Sequence, residues 1–292
     1  FIIDEMSMVN IDMIETVLDL LPKDCKIILV GDRNQLPPVK NCSIWNYLFE
    51  YSDNNLGGTR SLLDAMEECK CDNLIFSSSA TIYGNKSESP VSEDSKRISL
   101  NPYAETKIMS EDMILDFSER NKEFKYGILR YFNPAGAHDT GIIGEHYNEK
   151  STNLFPIISK IIKTSEGKLN IYGSDYETHD GTPIRDFIHI MDLVEGHIRS
   201  LKYLMEKKQN LIINLGTGKG NTVLDIIKTY SRCLKKEINF DFCNRRLGDV
   251  SISIADSELS HKLLKWKAKR SIVDICNSNI KWNELYPDGY NF

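Results

Sequence analysis

A tyrosine and a lysine stand four residues apart in the segment Tyr103-Ala-Glu-Thr-Lys107. The preceding Asn101-Pro102 is typical of a helix start, so this spacing places the phenol and the ammonium on one helix face, one turn apart. A free phenol has a pKa near 10, and a neighbouring ammonium lowers that pKa because it stabilises the phenolate. The pair therefore indicates proton transfer, although ordinary solvated helices also carry this spacing.

Hydroxyl side chains follow a predicted strand in the segment Phe76-Ser-Ser-Ser79-Ala-Thr-Ile-Tyr-Gly84. Parallel sheets of the doubly wound kind bind their ligands at the carboxyl ends of the strands, which is where these hydroxyls would lie. We expect Ser79 and Tyr103 to share the proton of a substrate hydroxyl there.

The elements that must position these groups alternate along the chain. The sequence predicts a helix near 56–69, a strand at 73–77, a helix that begins at Asn101-Pro102 and a strand near 126–131. Such alternation favours an α/β fold with a parallel sheet and crossover helices. Beyond Gly136 the pattern is irregular and rich in glycine and aspartate, which predicts a loop-rich substrate-binding lobe.

The first part of the chain has a different pattern. Apolar runs at 1–3 and 26–30 bracket a predicted helix at 8–21, and the first run ends in the adjacent carboxylates Asp4 and Glu5. Together with Leu29-Val-Gly-Asp-Arg-Asn-Gln35-Leu-Pro-Pro-Val39, this segment resembles motifs II and III of superfamily 1 DNA helicases of the exonuclease V alpha-subunit type. The resemblance implies that Asp4 is the magnesium-side acid, Glu5 the water-polarising base and Gln35 the phosphate sensor.

An ATPase also needs a phosphate loop, and no Gly-x-x-x-x-Gly-Lys-Ser/Thr occurs in the 292 residues. The segment Gly216-Thr-Gly-Lys-Gly-Asn-Thr222 looks similar but has the wrong spacing. We therefore expect residues 1–50 to be a vestigial β-α-β helicase fragment.

The rest of the chain, from about residue 51, resembles the UDP-glucose 4-epimerase family of extended short-chain dehydrogenases. The motifs that carry the resemblance occur in order: Asp53-Asn-Asn-Leu-Gly-Gly-Thr59, Ser77-Ser-Ser-Ala-Thr-Ile-Tyr-Gly84, Asn101-Pro-Tyr-Ala-Glu-Thr-Lys107, Leu129-Arg-Tyr-Phe-Asn-Pro-Ala-Gly-Ala-His138, Arg185-Asp-Phe-Ile-His-Ile-Met-Asp-Leu193, Asn214-Leu-Gly-Thr-Gly218 and Arg245-Arg-Leu-Gly-Asp249.

The resemblance implies epimerisation of a UDP-sugar through transient hydride transfer to NAD. Its catalytic residues would be Ser79, Tyr103 and Lys107, and the same three would contact NAD together with Asn54 and Phe132. The residues implied for the UDP-sugar are Asn133, Asn153, Leu154, Arg185, Arg246 and Asp249. Ser253 stands where some members carry tyrosine, so we expect room for UDP-N-acetylhexosamines as well as UDP-hexoses.

The glycine-rich turn with which this family opens, Gly-x-x-Gly-x-x-Gly, is not among the 292 residues. We therefore expect an incomplete Rossmann-like doubly wound parallel sheet and impaired NAD binding. The expected division is a helicase-like fragment at 1–50, a remnant of the NAD-binding domain at 51–135, and a smaller C-terminal substrate-binding lobe at 136–292 that includes some returning Rossmann elements. The apolar runs at 1–3 and 26–30 are expected to dock beside the strand at 73–77 as a partial replacement.

The composition of the chain argues against nucleic acid and membrane as partners. The net charge is −6, which makes a nucleic-acid partner improbable, and no apolar run is long enough to cross a membrane. The first residue is Phe1 rather than methionine, so we expect a natural start upstream. Seven irregularly spaced cysteines indicate reduced thiols in the cytoplasm, with no metal site. Family resemblance adds a homodimer as a hypothesis for assembly.

Three interpretations remain open. A UDP-sugar 4-epimerase explains most of the chain, a helicase-type ATPase fragment explains only residues 1–50, and an inactive chimera or fragment explains both missing motifs.

Overall fold

The computed structural model describes residues 2–3, 28–29, 55–85, 89–146, 153–164, 167–246 and 248–289. The predicted helix at 8–21 and the candidate residues Asp4, Glu5, Gln35 and Asn54 lie outside these ranges.

In chain order, the described strands and helices are β1 (Ile2–Ile3), β2 (Ile28–Leu29), α1 (Asn55–Cys69), β3 (Asn73–Ser79), a 3-10 helix (Ala80–Tyr83), α2 (Pro102–Arg120), β4 (Lys125–Tyr131), β5 (Asn133–Ala135), α3 (Leu154–Thr164), β6 (Leu169–Tyr172), β7 (Ile184–Arg185), β8 (Phe187–His189), α4 (Ile190–Lys207), β9 (Leu211–Leu215), β10 (Asn221–Thr222), α5 (Val223–Leu234), β11 (Phe240–Cys243), β12 (Ile252–Ser253), α6 (Glu258–Leu264) and α7 (Ile272–Leu285). The helices and strands predicted between residues 56 and 131 are confirmed, with ends that differ by at most two residues where the prediction gave them.

The main sheet is parallel and has the strand order β2-β1-β3-β4-β9. β3 and β4 pair along their full length, from Asn73 opposite Lys125 to Ser79 opposite Tyr131. Because all the strands run the same way, their carboxyl ends share one edge, and Ser79 lies there.

The two short N-terminal strands belong to this sheet. Ile2 and Ile3 pair with Leu74 and Ile75 of β3, and β2 pairs with β1 on the far side. The expectation that the apolar runs at 1–3 and 26–30 dock beside β3 is therefore confirmed for the residues described.

Apolar side chains on the two faces of the sheet pack into two separate hydrophobic cores. On β3, Leu74 and Phe76 join a core with α1 and α2, whereas Ile75 joins a core with α4 and Trp266. Alternation along the strand thus places helices on both faces, which confirms the predicted doubly wound α/β fold.

The C-terminal region forms a further core between α3, α5, α7 and β6, in which Phe155, Tyr230 and Ile275 are buried. β9 and α4 return to the main sheet. This region is more regular than the sequence prediction of a loop-rich lobe, because capping boxes at Thr222/Asp225 and Ser271/Asp274 start long helices. No helix within the described ranges has the length and apolar character needed to cross a bilayer.

Candidate active site

The start of α2 fixes the tyrosine and lysine pair. The Asn101 side chain accepts a hydrogen bond from the Ala104 backbone N–H at 2.8 Å, and Pro102 occupies the first turn. Tyr103 is 43% exposed, whereas Lys107 is 7% exposed. The Lys107 Nζ lies 5.8 Å from the centroid of the Tyr103 ring, so the predicted one-turn juxtaposition is confirmed.

Lys107 is held at the carboxyl end of β3. Its Nζ donates to the Ser77 carbonyl oxygen at 2.8 Å and lies 5.1 Å from the Phe76 ring centroid. The buried charge therefore has a fixed position from which it can stabilise a phenolate.

His197 completes the surroundings of Ser77 without adding a charge. The His197 Nδ1 lies 2.9 Å from the Leu193 carbonyl oxygen, which can only accept, so this nitrogen donates. The Nε2, 3.3 Å from the Ser77 hydroxyl, is then the acceptor. Burial lowers the pKa of His197, which keeps the ring neutral.

Ser79 is the last residue of β3 and caps the 3-10 helix that follows. Its Oγ accepts from the Thr81 backbone N–H at 3.3 Å and from the Thr81 hydroxyl at 3.0 Å. Both bonds use lone pairs of Ser79, so its own proton remains available to a ligand. Thr81 is a supporting residue that the sequence analysis missed.

A buried ionic network lies directly behind this edge. Glu111 of α2 is fully buried and accepts from Arg130 of β4 at 3.0 and 2.7 Å, and from the Ser78 hydroxyl at 2.5 Å. Arg130 also donates to the Tyr83 hydroxyl at 3.2 Å, and that hydroxyl donates to the Asn214 side chain at 2.6 Å. Burial raises the pKa of Tyr83 to about 12, so the phenol keeps its proton.

The network fixes the relative positions of the strands and helix that carry the site. Ser78 precedes Ser79, Arg130 is two residues before Phe132, and Glu111 is one helical turn beyond Lys107. No motif in the sequence predicts this network. Its signal was Arg130, a charged residue within an apolar central strand, which requires a buried partner.

A second group of candidate residues lies in the C-terminal region. Arg185 forms an ion pair with Asp249, and its Nη1 also donates to the Ile184 carbonyl oxygen at 2.8 Å. Asp249 further accepts from the Val250 N–H at 3.1 Å. β12 pairs with β7 so that Ser253 lies opposite Arg185. The structure thus brings Arg185, Asp249 and Ser253 together.

Arg246 is held differently from Arg185. Its guanidinium lies 3.9 Å from the centroid of the Tyr172 ring, at the end of β6. The neighbouring Arg245 stacks 4.1 Å from the Tyr176 ring and pairs with Asp175 at 2.7 Å. Two cations therefore stand over two aromatic rings beside the Arg185–Asp249 pair.

The glycine loop at 216–218 encloses the carboxylate of Asp186. Asp186 is fully buried, and its carboxylate accepts from the N–H groups of Thr217 at 2.9 Å and Gly218 at 3.0 Å. A Cβ on Gly216 would lie 2.7 Å from an Asp186 oxygen, so only glycine lets the loop close this tightly. The loop that imitates a phosphate loop in sequence therefore wraps a carboxylate of the protein itself.

The remaining candidates lie on separate elements. Phe132 is buried beside Ile82 and Ala255, and the Asn133 N–H donates to the Asp186 carbonyl oxygen at 3.0 Å. Asn153 and Leu154 are at the start of α3, where the Asn153 side chain hydrogen-bonds Glu145.

One group of potential metal ligands, His179, Asp180 and Asp225, has its ligand atoms within 4.8 Å of one another. Both carboxylates already accept hydrogen bonds from Thr222, at 2.6 Å for Asp180 and 3.3 Å for Asp225. Its geometry is accounted for by the capping of α5.

Comparisons with known proteins show the family to which the chain is similar. The model of the NAD dependent epimerase/dehydratase family matches residues 45–216. A UDP-glucose 4-epimerase from Dictyostelium discoideum is 40% identical over 263 residues, covering 90% of this chain and 73% of that protein. The UDP-glucose 4-epimerase from Yersinia enterocolitica is 45% identical, covering 83% of this chain and 72% of that protein.

A solved structure has the same fold. The UDP-glucose 4-epimerase from Bifidobacterium longum, in complex with NAD+ and UDP, superimposes with a TM-score of 0.80 at 34% identity and covers 95% of this chain and 81% of that one. At the other end of the sequence, the model of an AAA domain matches residues 1–41.

Proposed function

Because this chain belongs to the NAD dependent epimerase/dehydratase family, we propose that it interconverts UDP-hexoses at carbon 4 of the sugar, with Tyr103 as the base. The observation that carries the proposal is the Tyr103 and Lys107 pair on one face of α2, beside the carboxyl end of β3. A phenol, an ammonium and the Ser79 hydroxyl are together the groups that removal of a proton from a sugar hydroxyl requires.

The residues at this edge fit the nicotinamide end of NAD. The buried Lys107 ammonium, the Tyr103 phenol and the buried Phe132 ring would hold it, together with Ser79 and with Asn54, which lies outside the described residues. When bound, NAD would supply a reversible hydride acceptor for carbon 4 of the sugar, so that the hydride could be returned to the other face of the ring.

The protein residues then move the proton of the sugar 4-hydroxyl. Tyr103, as phenolate, takes that proton, with Ser79 donating to the same oxygen or relaying the proton. Lys107 makes this feasible near neutral pH, since lowering a phenol pKa by three units needs about 4 kcal/mol of charge stabilisation. After the keto sugar turns over, Tyr103 gives the proton back.

The second group of residues is suited to the UDP part. Arg185 and Arg246 would bind the diphosphate, because planar guanidinium groups match its oxygens. Asp249 would accept from the uridine ribose. By family resemblance Asn133, Asn153 and Leu154 contact the sugar nucleotide.

The substrate class extends beyond UDP-hexoses in this proposal. Ser253 lies opposite Arg185 in the β7–β12 ladder, within the proposed diphosphate site. A hydroxymethyl group there leaves space that a tyrosine would fill, so we propose that UDP-N-acetylhexosamines are also accepted. If the chain turns over UDP-glucose but no UDP-N-acetylhexosamine, this part of the proposal is wrong. Ser253→Tyr is expected to abolish activity on UDP-N-acetylhexosamines and to retain activity on UDP-hexoses.

We propose that NAD binds more weakly than it does to a chain with the Gly-x-x-Gly-x-x-Gly turn, because that motif, whose amides would hold the pyrophosphate, does not occur in the 292-residue sequence. We retain the division at 1–50, 51–135 and 136–292 as part of this proposal. The AAA match favours an ATPase ancestry for the first segment, in which Asp4, Glu5 and Gln35 are vestigial.

The test is to purify the chain, release any bound cofactor and measure NAD by absorbance and by enzymatic cycling. In chain loaded with NAD, Tyr103→Phe is expected to lower epimerisation of UDP-galactose by roughly 10²- to 10⁴-fold, the usual contribution of a general base. The matched control is Tyr203→Phe, which removes a hydroxyl on α4 that donates to the Gln209 side chain at 3.1 Å.

Equal activity of Tyr103→Phe and the parent chain would exclude Tyr103 as the base. A chain that binds neither NAD nor UDP would instead support the alternative of an inactive chimera.

A further inference from the structure

Tyr176 carries a buried hydroxyl that is unusual in this chain. The residue is 5% exposed, and its hydroxyl is the one buried side-chain polar atom in the described ranges for which no hydrogen-bond partner is found. A buried hydroxyl without a partner destabilises the folded state, because it loses its hydrogen bonds to water and gains none in the protein. Phenylalanine would fill the same space without that loss. We therefore expect the hydroxyl to gain a hydrogen-bond partner when a ligand is bound.

The Tyr176 ring is held in place by the backbone of Gly173 and by the side chain of Arg245. Gly173 has φ +89°, and a Cβ there would lie 2.3 Å from the ring, so the backbone approaches the ring closely. Arg245 stacks on the ring at 4.1 Å and is itself fixed by Asp175. The Tyr176 N–H also donates to the Gly181 carbonyl oxygen at 3.0 Å. The direction of the hydroxyl is therefore set by packing.

Four charged groups surround Tyr176, and two of them, Asp249 and Arg185, belong to the proposed diphosphate and ribose site; the other two are Arg245 and Asp175. Burial is the main reason that the pKa of Tyr176 is raised; the Asp249 charge adds to the increase, and Arg185 opposes it. Arg185 and Asp249 are at present paired with each other. Two contacts place Tyr176 and Asp249 near each other: Arg245 stacks on the Tyr176 ring, and the carbonyl oxygen of the next residue, Arg246, accepts from the Asp249 N–H at 3.2 Å. The unpartnered Tyr176 hydroxyl therefore lies close in the fold to a carboxylate that is already paired with Arg185.

A bound diphosphate would change that pairing. It offers Arg185 two charged groups and a fork of oxygens, against the single carboxylate of Asp249. Once Arg185 turns to the phosphates, Asp249 loses its strongest donor, although its side chain is only 27% exposed. A carboxylate in that position needs a new hydrogen bond.

We propose that Tyr176 is a positioning residue for a nucleoside diphosphate, whose hydroxyl donates to Asp249 when Arg185 turns from Asp249 to the diphosphate. This bond would hold the Asp249 carboxylate toward the ribose. The inference rests on the proposed function, because it takes Arg185 and Asp249 as the diphosphate and ribose contacts.

The test uses the whole chain and UDP, and it does not depend on NAD. Tyr176→Phe is expected to weaken UDP binding about tenfold by calorimetric titration, the effect of one hydrogen bond to a charged group. Without ligand, the same variant should unfold at the same urea concentration as the parent chain or a higher one, since no bond is lost.

Tyr230→Phe is the matched control. Tyr230 is also buried, but its hydroxyl donates to the Asn279 side chain at 2.7 Å in the core of the C-terminal region. Its removal should lower the unfolding midpoint and leave the UDP dissociation constant unchanged, which is the opposite pattern.

A coupling experiment separates positioning from a general structural effect. In an Asp249→Ala background, Tyr176→Phe should cause no further loss of UDP affinity, because its partner is gone. Inorganic pyrophosphate, which lacks a ribose, should bind Tyr176→Phe as it binds the parent chain.

Three results would overturn the inference. Equal UDP affinity of Tyr176→Phe and the parent chain is one, and an equal loss in the Asp249→Ala background is another. If the parent chain fails to bind UDP at all, the proposed function fails and this inference with it, an outcome that is distinct from the other two.

Discussion

Glu111 and Asp186 are both fully buried carboxylates, but the protein neutralises them in different ways. Glu111 faces two guanidinium groups, that of the buried Arg130 at 2.7 Å and that of the more exposed Arg97 at 3.3 Å. Asp186 is bound by the backbone N–H groups of Thr217, Gly218 and Ala255 and by the Thr217 hydroxyl. The Glu111 carboxylate is therefore neutralised by positively charged guanidinium groups, whereas the Asp186 carboxylate is stabilised by uncharged N–H and O–H dipoles.

The difference corresponds to what each region does. The Glu111–Arg130 pair joins α2 to β4 behind Ser79, so it fixes groups that must meet within the length of a hydrogen bond. Asp186 shapes a loop beside Arg185 instead. Burial raises the pKa of Asp186, and its hydrogen bonds from Thr217, Ala255 and Gly218 oppose that increase. Charge pairing thus supports the proposed catalytic edge, and backbone dipoles support the proposed nucleotide site.

The largest effect is expected when one half of the charge pair is removed. Glu111→Leu leaves the Arg130 guanidinium buried without its anion, which typically costs about 3–5 kcal/mol of unfolding free energy. Urea denaturation measures this loss.

The double variant Glu111→Leu/Arg130→Met is the control for that measurement. It replaces the pair with apolar groups and should recover most of the stability, since a well-packed apolar substitute is often neutral. If the double variant is as unstable as the single one, lost packing and the lost hydrogen bonds of Ser78 and Tyr83, rather than the unpaired charge, cause the loss.

The amide-bound carboxylate should be less costly to remove. Asp186→Ala leaves the N–H groups of Thr217, Gly218 and Ala255 without their acceptor, but Gly218 is exposed and water can replace part of the loss. We expect about 2–3 kcal/mol, from the range for unsatisfied buried donors. Hydrogen exchange should speed up at these three amides while β3 and β4 remain protected; uniform exchange throughout would show that the carboxylate supports the whole fold.

His189, three residues beyond Asp186, is a buried base that should make the stability of this region depend on pH. His189 is fully buried, accepts from the Met191 N–H at 3.1 Å and lies 3.0 Å from the Ser278 hydroxyl. Burial, aided by Arg270, lowers the pKa of His189 to about 4.

The sign of the pH effect follows from that pKa. Between about pH 6.5 and pH 4 the unfolded chain holds a proton on this histidine and the folded chain does not, so stability decreases as the pH falls. From pH 7 to pH 5 the decrease should be about 2 kcal/mol. His189→Asn, which keeps a capping acceptor, should lose this pH dependence; an unchanged pH profile would exclude His189 as its source.

Much of the proposed catalytic edge was readable from the sequence, because its signals are local. Tyr103 and Lys107 share a helix face through spacing alone, and Asn101-Pro102 marks the start of that helix. The strand that ends at Ser79 follows from its apolar run. Local rules of this kind need no knowledge of distant contacts.

The supporting contacts were not readable, because they join residues far apart in the chain. Tyr83 and Asn214 are separated by 131 positions, and Arg185 and Asp249 by 64. No local pattern specifies that such residues meet. The Asn214-Leu-Gly-Thr-Gly218 loop shows the same limit. Its glycines look similar to a phosphate loop although their spacing is wrong, and only the fold shows that the loop encloses the Asp186 carboxylate.

The smallest expected effect tests how completely dipoles neutralise Asp186. The Thr217 hydroxyl donates to Asp186 at 2.5 Å, and Thr217→Val removes that donor while the three backbone N–H groups remain. A loss of about 1 kcal/mol is expected at pH 7, the value of one hydrogen bond, and Thr217→Ser should retain the donor and the stability. An acid whose folded pKa is raised is penalised only while it is ionised, so this loss should shrink as the pH falls through the folded-state pKa of Asp186. Urea denaturation at a series of pH values measures this change. A loss that is constant across that series would mean that Thr217 acts through packing, because a hydrogen bond to the carboxylate cannot be independent of its charge.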